Sequence, residues 1–234
     1  GNTFSPNTCI KGILNDDSCL PLVSSPTGKE LLYTASHKEQ TWGITPKNQE
    51  QSWALNMLNN PEISLVNLMG PAGTGKTLLA LASGLEQTIN NGIYTRILCA
   101  RPVIPFGKDI GYLPGEKDDK VRPYMQPIYD NLELLLNPRR EKERGKEAIV
   151  ESAVDMLKKK RQLDIEVLTY IRGRSIPNQF IIIDEAQNLS AHEAKTIITR
   201  AGEGTKVVFC GDPDQIDRPY LDKESNGMTH VAHR

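Results

Sequence analysis

The chain has 234 residues, of which 38% are hydrophobic and 24% charged, with a formal net charge of −1, the balance of a globular chain long enough to bury a sizeable core. Near-neutrality argues against gripping nucleic acid by bulk electrostatics and leaves any phosphate contact to local basic patches. No apolar run approaches the roughly 18 residues of a membrane span, and the N-terminus lacks the basic-then-apolar layout of a secretory signal, so the expectation is a cytoplasmic protein with no membrane partner.

The chain starts at Gly1, as a fragment or tag remnant would. Residues 1 to about 44 are rich in Ser, Thr, Asn and Pro, and the short runs CIKGIL and ELLYTA read as small strands that pair with each other in an N-terminal extension or linker. Cys9, Cys19 and His37 lack the close spacing of a metal site, whereas Cys99 and Cys210, in the runs RILCAR and VVFCGD, read as small buried thiols. A helix is predicted from Thr45 as cap, with Pro46 at its first position and Trp53, Ala54, Met57 and Leu58 at helical spacing.

Strand-like and helical stretches then alternate. SLVNLM, RILCAR, IEVLTY, QFIIID and KVVFCG read as strands; TLLALASGLEQTI, MQPIYDNLELLL, EAIVESAVDMLKKK and SAHEAKTIITRA read as helices. Alternation of this kind predicts an α/β fold with right-handed crossovers and a parallel sheet flanked by helices, with ligands collecting at the carboxyl ends of the strands. No internal repeat is present; RREKERGKE reads as a solvated turn and helix start, and KKKR as a helix end where cations suit the dipole.

The sequence FIIIDEAQ, Phe180 to Gln187, runs a doubly buried strand into two adjacent carboxylates, Asp184 and Glu185. Such acids need a positive counterpart. The segment GPAGTGKT, Gly70 to Thr77, supplies one: it matches G-x-x-x-x-G-K-[ST] between a predicted strand and a predicted helix. Its glycines turn backbone N–H groups onto an anion, the helix start adds its positive end, Lys76 reaches the β- and γ-phosphates, and Thr77 offers a hydroxyl to Mg²⁺. Asp184 would then hold the Mg²⁺ hydration shell, and Glu185 would orient or deprotonate the attacking water. A third strand end, VVFCGDPDQID, brings Asp212, Asp214 and Gln215 to the same edge, where the Gln215 amide bonds both γ-phosphate and water.

Six blocks in order, GPAGTGKTLLA, ARPVIPFGKDIGYLPG, RPYMQPIYDNL, YIRGRSIPNQFIIIDEAQNLS, KTIITRAGEGTKVVFCGDPDQID and SNGM, resemble the PhoH-like ATPases, relatives of superfamily 1 helicases. The resemblance covers residues 45 to about 230, and TPKNQEQ resembles the version joined to an N-terminal PIN ribonuclease domain. It implies a RecA-like P-loop core over residues 45–234, lacking the family's later arginine-bearing segment, and an ATP- and Mg²⁺-dependent activity coupled to RNA remodelling or unwinding. The phosphate-binding set is then Gly70, Pro71, Ala72, Gly73, Thr74, Gly75, Lys76, Thr77 and Leu78, with Gln51 reading adenine; the guanine-reading N-K-x-D pattern is absent. Single-stranded RNA is the implied partner, and a PIN domain is implied only for the full-length protein, so nuclease activity is not assigned to this chain. Arg101, Lys108, Arg172 and Arg174 follow strands at the nucleotide-facing edge, where they can meet RNA phosphates, a γ-phosphate in a neighbouring subunit, or acidic neighbours. With 19 residues after Gln215, a second core does not fit, and the expected working unit is a ring, a hexamer as in the family.

Two other readings stay open at this stage. A P-loop kinase for a small molecule would need a substrate pocket and an arginine-bearing lid, and Glu185 weighs against it. A nucleotide-gated interaction module would show no RNA-stimulated turnover.

Overall fold

The structure, a computed structural model, describes residues 9–13, 19–25, 27–33, 40–102, 117–136, 146–168 and 175–232. Its main body is a five-stranded parallel sheet of β4 (Leu65–Met69), β5 (Arg96–Arg101), β6 (Leu163–Val167), β7 (Gln179–Ile183) and β8 (Lys206–Gly211), in the order β4-β8-β7-β5-β6. Helix α1 (Gln49–Asn59) precedes β4, helices α2 (Lys76–Leu85), α3 (Lys117–Leu136) and α4 (Lys146–Lys159) connect the strands from β4 to β6, and α5 (Ala191–Arg200) and α6 (Gly227–Ala232) follow β7 and β8. The expected α/β fold with a parallel sheet flanked by helices is therefore present.

A smaller antiparallel sheet of β1 (Cys9–Ile13), β2 (Cys19–Ser24) and β3 (Leu31–Tyr33) precedes it. The expected runs CIKGIL and ELLYTA do form strands, but they do not pair with each other: both pair with the intervening CLPLVS. Pro21 hides that strand in the sequence, because a residue without an N–H argues against a central position.

Strand β7 shows why the apolar run before the carboxylates is continuous. Phe180 and Ile182 belong to the core beneath α1 to α4, Ile181 and Ile183 to the core with α5 and α6, and all four are essentially inaccessible. Each such side chain contributes about 1.5–3 kcal/mol of burial free energy. Helix α2 is buried at every position from Leu79 to Leu85, as a helix enclosed between a sheet and other helices must be. Cys99 and Cys210 are free, buried thiols within that core.

The start of α1 departs from expectation. Asn48, in an extended conformation, is the cap, its side chain accepting from the Gln51 N–H at 2.8 Å, so Thr45 and Pro46 lie in the lead-in instead. A short carboxamide holds that orphan N–H at least as well as a threonine hydroxyl and wins the cap. At the other end of α1, Lys206 is fully buried, its ammonium donating to the Met57 and Asn60 carbonyls at 3.1 and 2.7 Å. Burial pushes Lys206 down to about 8. Among the described residues, no helix is long and apolar enough to cross a membrane.

Candidate nucleotide-binding site

Three strand ends converge at the carboxyl edge of the sheet. Between the loop-bearing β4 and the acidic end of β7 lies β8, so the segment after β8 sits between phosphate loop and carboxylates. The loop turns through Gly73 and Gly75, with φ of 77° and 87°, a region that side-chain-bearing residues adopt only at a strain cost. Gly75 caps α2 without a side chain, leaving the first-turn N–H groups for a ligand.

The loop is held from several directions. Thr74 donates its hydroxyl to the Pro71 carbonyl at 2.8 Å, and Gly70 N–H donates to Gly211 O at 3.2 Å. Lys76 Nζ donates to the carbonyls of Gly70 and Pro71 at 2.7 and 2.8 Å, so its charge lies within its own loop and not on Asp184 or Glu185. Gln51, on α1, donates from Nε2 to the Thr74 carbonyl at 3.1 Å and accepts from Lys47 N–H at 2.8 Å. Ala72 N–H donates to Asp212 Oδ2 at 3.2 Å. Leu78, inside α2, packs against the core.

Asp184 is 7% exposed and accepts from the Thr77 hydroxyl at 2.7 Å. Its pKa is raised: burial is the main cause and the Glu185 charge adds to it, while the Thr77 hydrogen bond and Arg101 oppose. A buried carboxyl group accepting from a threonine hydroxyl offers the oxygen donors that suit a hard divalent cation. Two protein oxygens suit Mg²⁺, which keeps several of its waters.

Glu185 has a left-handed backbone, φ 52° and ψ 39°, where the chain turns off β7 into the short helical turn Ala186–Asn188. Its positive partner is Arg101: Nη2 lies 3.0 Å from Oε1, and the same guanidinium donates from Nη1 to Tyr124 O at 3.3 Å. Of the contacts open to Arg101, the acidic neighbour is thus the one made. Lys108, Arg172 and Arg174 lie outside the described residues.

Gln215 lies in the turn after β8, with Nε2 donating to Asp212 Oδ2 at 2.9 Å. Asp212, 7% exposed, thereby joins the phosphate loop to Gln215. Residues beyond Gln215 are fastened to the turn after Glu185. Asn188 Oδ1 accepts from the N–H groups of Asp217 and Arg218, and Arg218 donates to the Asn188 carbonyl and pairs with Glu193. Burial pushes Glu193 up, but hydrogen bonds from Arg218 and Ser190 outweigh it and hold its carboxyl below the usual range. Two participants were not assigned roles from sequence: Asp212 and Gln187. The available signals were an acid directly after a buried strand and an amide two residues after Glu185.

The family model described as PhoH-like protein matches residues 43–234. The chain belongs to the PhoH-like family. Its fold is accordingly P-loop ATPase-like. Protein PhoH2 of Bacillus subtilis is 51% identical across all of this PhoH-like chain, which covers 51% of that relative. A PhoH-like protein of Mycobacterium tuberculosis is 38% identical over 64% of the chain and 39% of its own length. Protein PhoH2 of Thermobispora bispora is 36% identical over 76% of the chain and 38% of its own length. The chain thus spans about half or less of the curated relatives it matches. Among solved structures, the Sulfolobus solfataricus SWI2/SNF2 ATPase core in complex with dsDNA is similar at TM-score 0.44 and 14% identity, over 79% of this chain and 35% of that one.

Proposed function

We propose that this site binds ATP with Mg²⁺ and hydrolyses it, and that hydrolysis drives RNA remodelling or unwinding. The observation that carries the reading is the 2.7 Å bond between Thr77 and Asp184, which joins the helix after the phosphate loop to the acidic end of β7. Lys76 would exchange the Gly70 and Pro71 carbonyls for β- and γ-phosphate oxygens, and the open N–H groups at the start of α2 would take others. Thr77 and Asp184 would hold Mg²⁺, which when bound neutralises charge on the β- and γ-phosphates. Glu185 takes a proton from water as the water oxygen bonds to the γ-phosphorus and the bond from that phosphorus to the bridging oxygen breaks, leaving ADP and phosphate. Gln215 contacts the γ-phosphate and the water, and Gln51, already against the loop, reads the adenine edge.

The RNA coupling rests on family membership and on the sequence alone, in which Arg172 and Arg174 follow a strand-like run. In this reading residues 1–44 are an extension and residues 45–234 the ATPase domain, the working unit is a ring of about six subunits with an arginine supplied by a neighbour, single-stranded RNA runs through it, and a PIN ribonuclease domain belongs to the full-length protein. Phosphate release with Mg²⁺, with chelator, and with added single-stranded RNA tests it, together with mass in solution. We expect Mg²⁺-dependent release that RNA raises several-fold. No release would end the ATPase reading, and release indifferent to RNA would end the coupling.

A further inference from the structure

Gln187 has no part in the reaction just described, yet it is 0% exposed and lies at the centre of the site. Its Nε2 donates to Glu185 Oε2 at 2.5 Å and to the Gln215 carbonyl at 2.9 Å, while its Oε1 accepts from Asp212 N–H at 3.2 Å. A carboxamide has two donor hydrogens and one carbonyl. All are in use, and they join the turn after β7 to the turn after β8. The fold leaves room for this amide at Gly211, where a Cβ would sit 2.4 Å from Gln187 Oε1 and 3.0 Å from Gln187 N.

We propose that Gln187 is a positioning residue for hydrolysis: it fixes the Glu185 carboxylate against the Gln215 turn, so that the proton acceptor and the γ-phosphate contact are held as one unit. The connection continues to the phosphate loop, because Asp212 Oδ2 accepts from both Gln215 Nε2 and Ala72 N–H. Arg101 holds the other carboxylate oxygen from β5, so Gln187 is the link that ties Glu185 to the loop side of the site. This inference rests on the ATP-hydrolysis reading and adds the residue that sets its geometry.

The variant Gln187→Glu keeps shape but turns a donor into an acceptor and faces Glu185 with a second carboxylate. Burial and the like charge favour its protonated form, which regains one donor as pH falls. With the full chain, a fluorescent ATP analogue should bind Gln187→Glu within about threefold of wild type, while single-turnover hydrolysis should drop about 100-fold at pH 8 and only about tenfold at pH 6, each against wild type at that pH. Equal deficits at both pH values would overturn the proposal, and so would a full deficit of Gln187→Glu in the Glu185→Gln background, the result for a residue that merely packs. Should that variant not fold, Gln187→Met decides it in the Glu185→Gln background. Acting through a carboxylate already removed, it should cost at most about twofold more, and a multiplicative loss overturns the positioning role. Wild-type hydrolysis by Glu185→Gln alone would instead sink the water-activating reading of Glu185.

Discussion

The two ends of β8 bury one charge each and use it differently. At its start, Lys206 gives its hydrogens to two backbone carbonyls at the end of α1; at its far end, Asp212 accepts from a loop N–H and a side-chain amide. Both groups are almost inaccessible. The Lys206 partners are fixed parts of the backbone, so its charge is committed to holding α1 in place. The groups around Asp212, Asp184 and Glu185 are a hydroxyl, amides, a guanidinium and loop N–H groups, which can be re-partnered by a ligand. A buried charge by itself therefore does not mark a functional site. What marks it is whether its partners are exchangeable.

The sharpest way to break this contrast is Glu185→Gln. Hydrolysis should fall by about two to three orders of magnitude, while ATP affinity and the unfolding midpoint stay near wild type; quench-flow turnover and denaturant titration measure the two. Substantial unfolding in this variant would mean that the functional end is also structural. Lys206→Ala should do the reverse. Loss of the buried stem and of both carbonyl partners should lower stability by about 3 kcal/mol, read from urea midpoints, with nucleotide binding intact in the fraction still folded.

A smaller effect sharpens the same point through pH. Lys206 titrates near 8 when folded and near its ordinary value of 10.5 when unfolded, so between those values the unfolded chain binds more protons and stability rises with pH. The cost of burying the charge is fully present below about 8 and fades above it. Wild type minus Lys206→Met should gain roughly 1–2 kcal/mol from pH 7.5 to 9.5. That range stays below the titration of Tyr94, which burial pushes up to about 12. A flat difference would show that the two carbonyls fully compensate the buried ammonium. The smallest effect is expected for Gln51→Ala, which should erode the preference for ATP over GTP by about two- to fivefold in competition binding. Equal loss for both nucleotides would leave Gln51 only its structural bonds to the Thr74 carbonyl and the Lys47 N–H.

Much of this is legible in the amino-acid sequence, and the reason differs by residue. The run Phe180–Ile183 announces a strand covered on both faces because a parallel sheet between two helical layers leaves no polar side. GPAGTGKT is readable because two left-handed glycines and a lysine at a helix start form one local motif. The helix start at Asn48 was misplaced since Thr45 and Pro46 carry the same local signals and only the actual hydrogen bond to Gln51 N–H decides between them. Strand CLPLVS was obscured by its proline.

The sequence by itself determined the order of strands and helices from α1 to β8, the phosphate loop and the acids that follow β7, because each depends on neighbours within a few residues. Which polar groups meet was decided by the tertiary structure alone. Arg101 reaches Glu185 across 84 positions and Gln187 joins Gln215 across 28, distances over which local pattern carries no information. These pairs exist because β5, β7 and β8 lie side by side in a parallel sheet and their carboxyl ends open onto one edge, where buried polar groups must find partners among whatever the fold brings there.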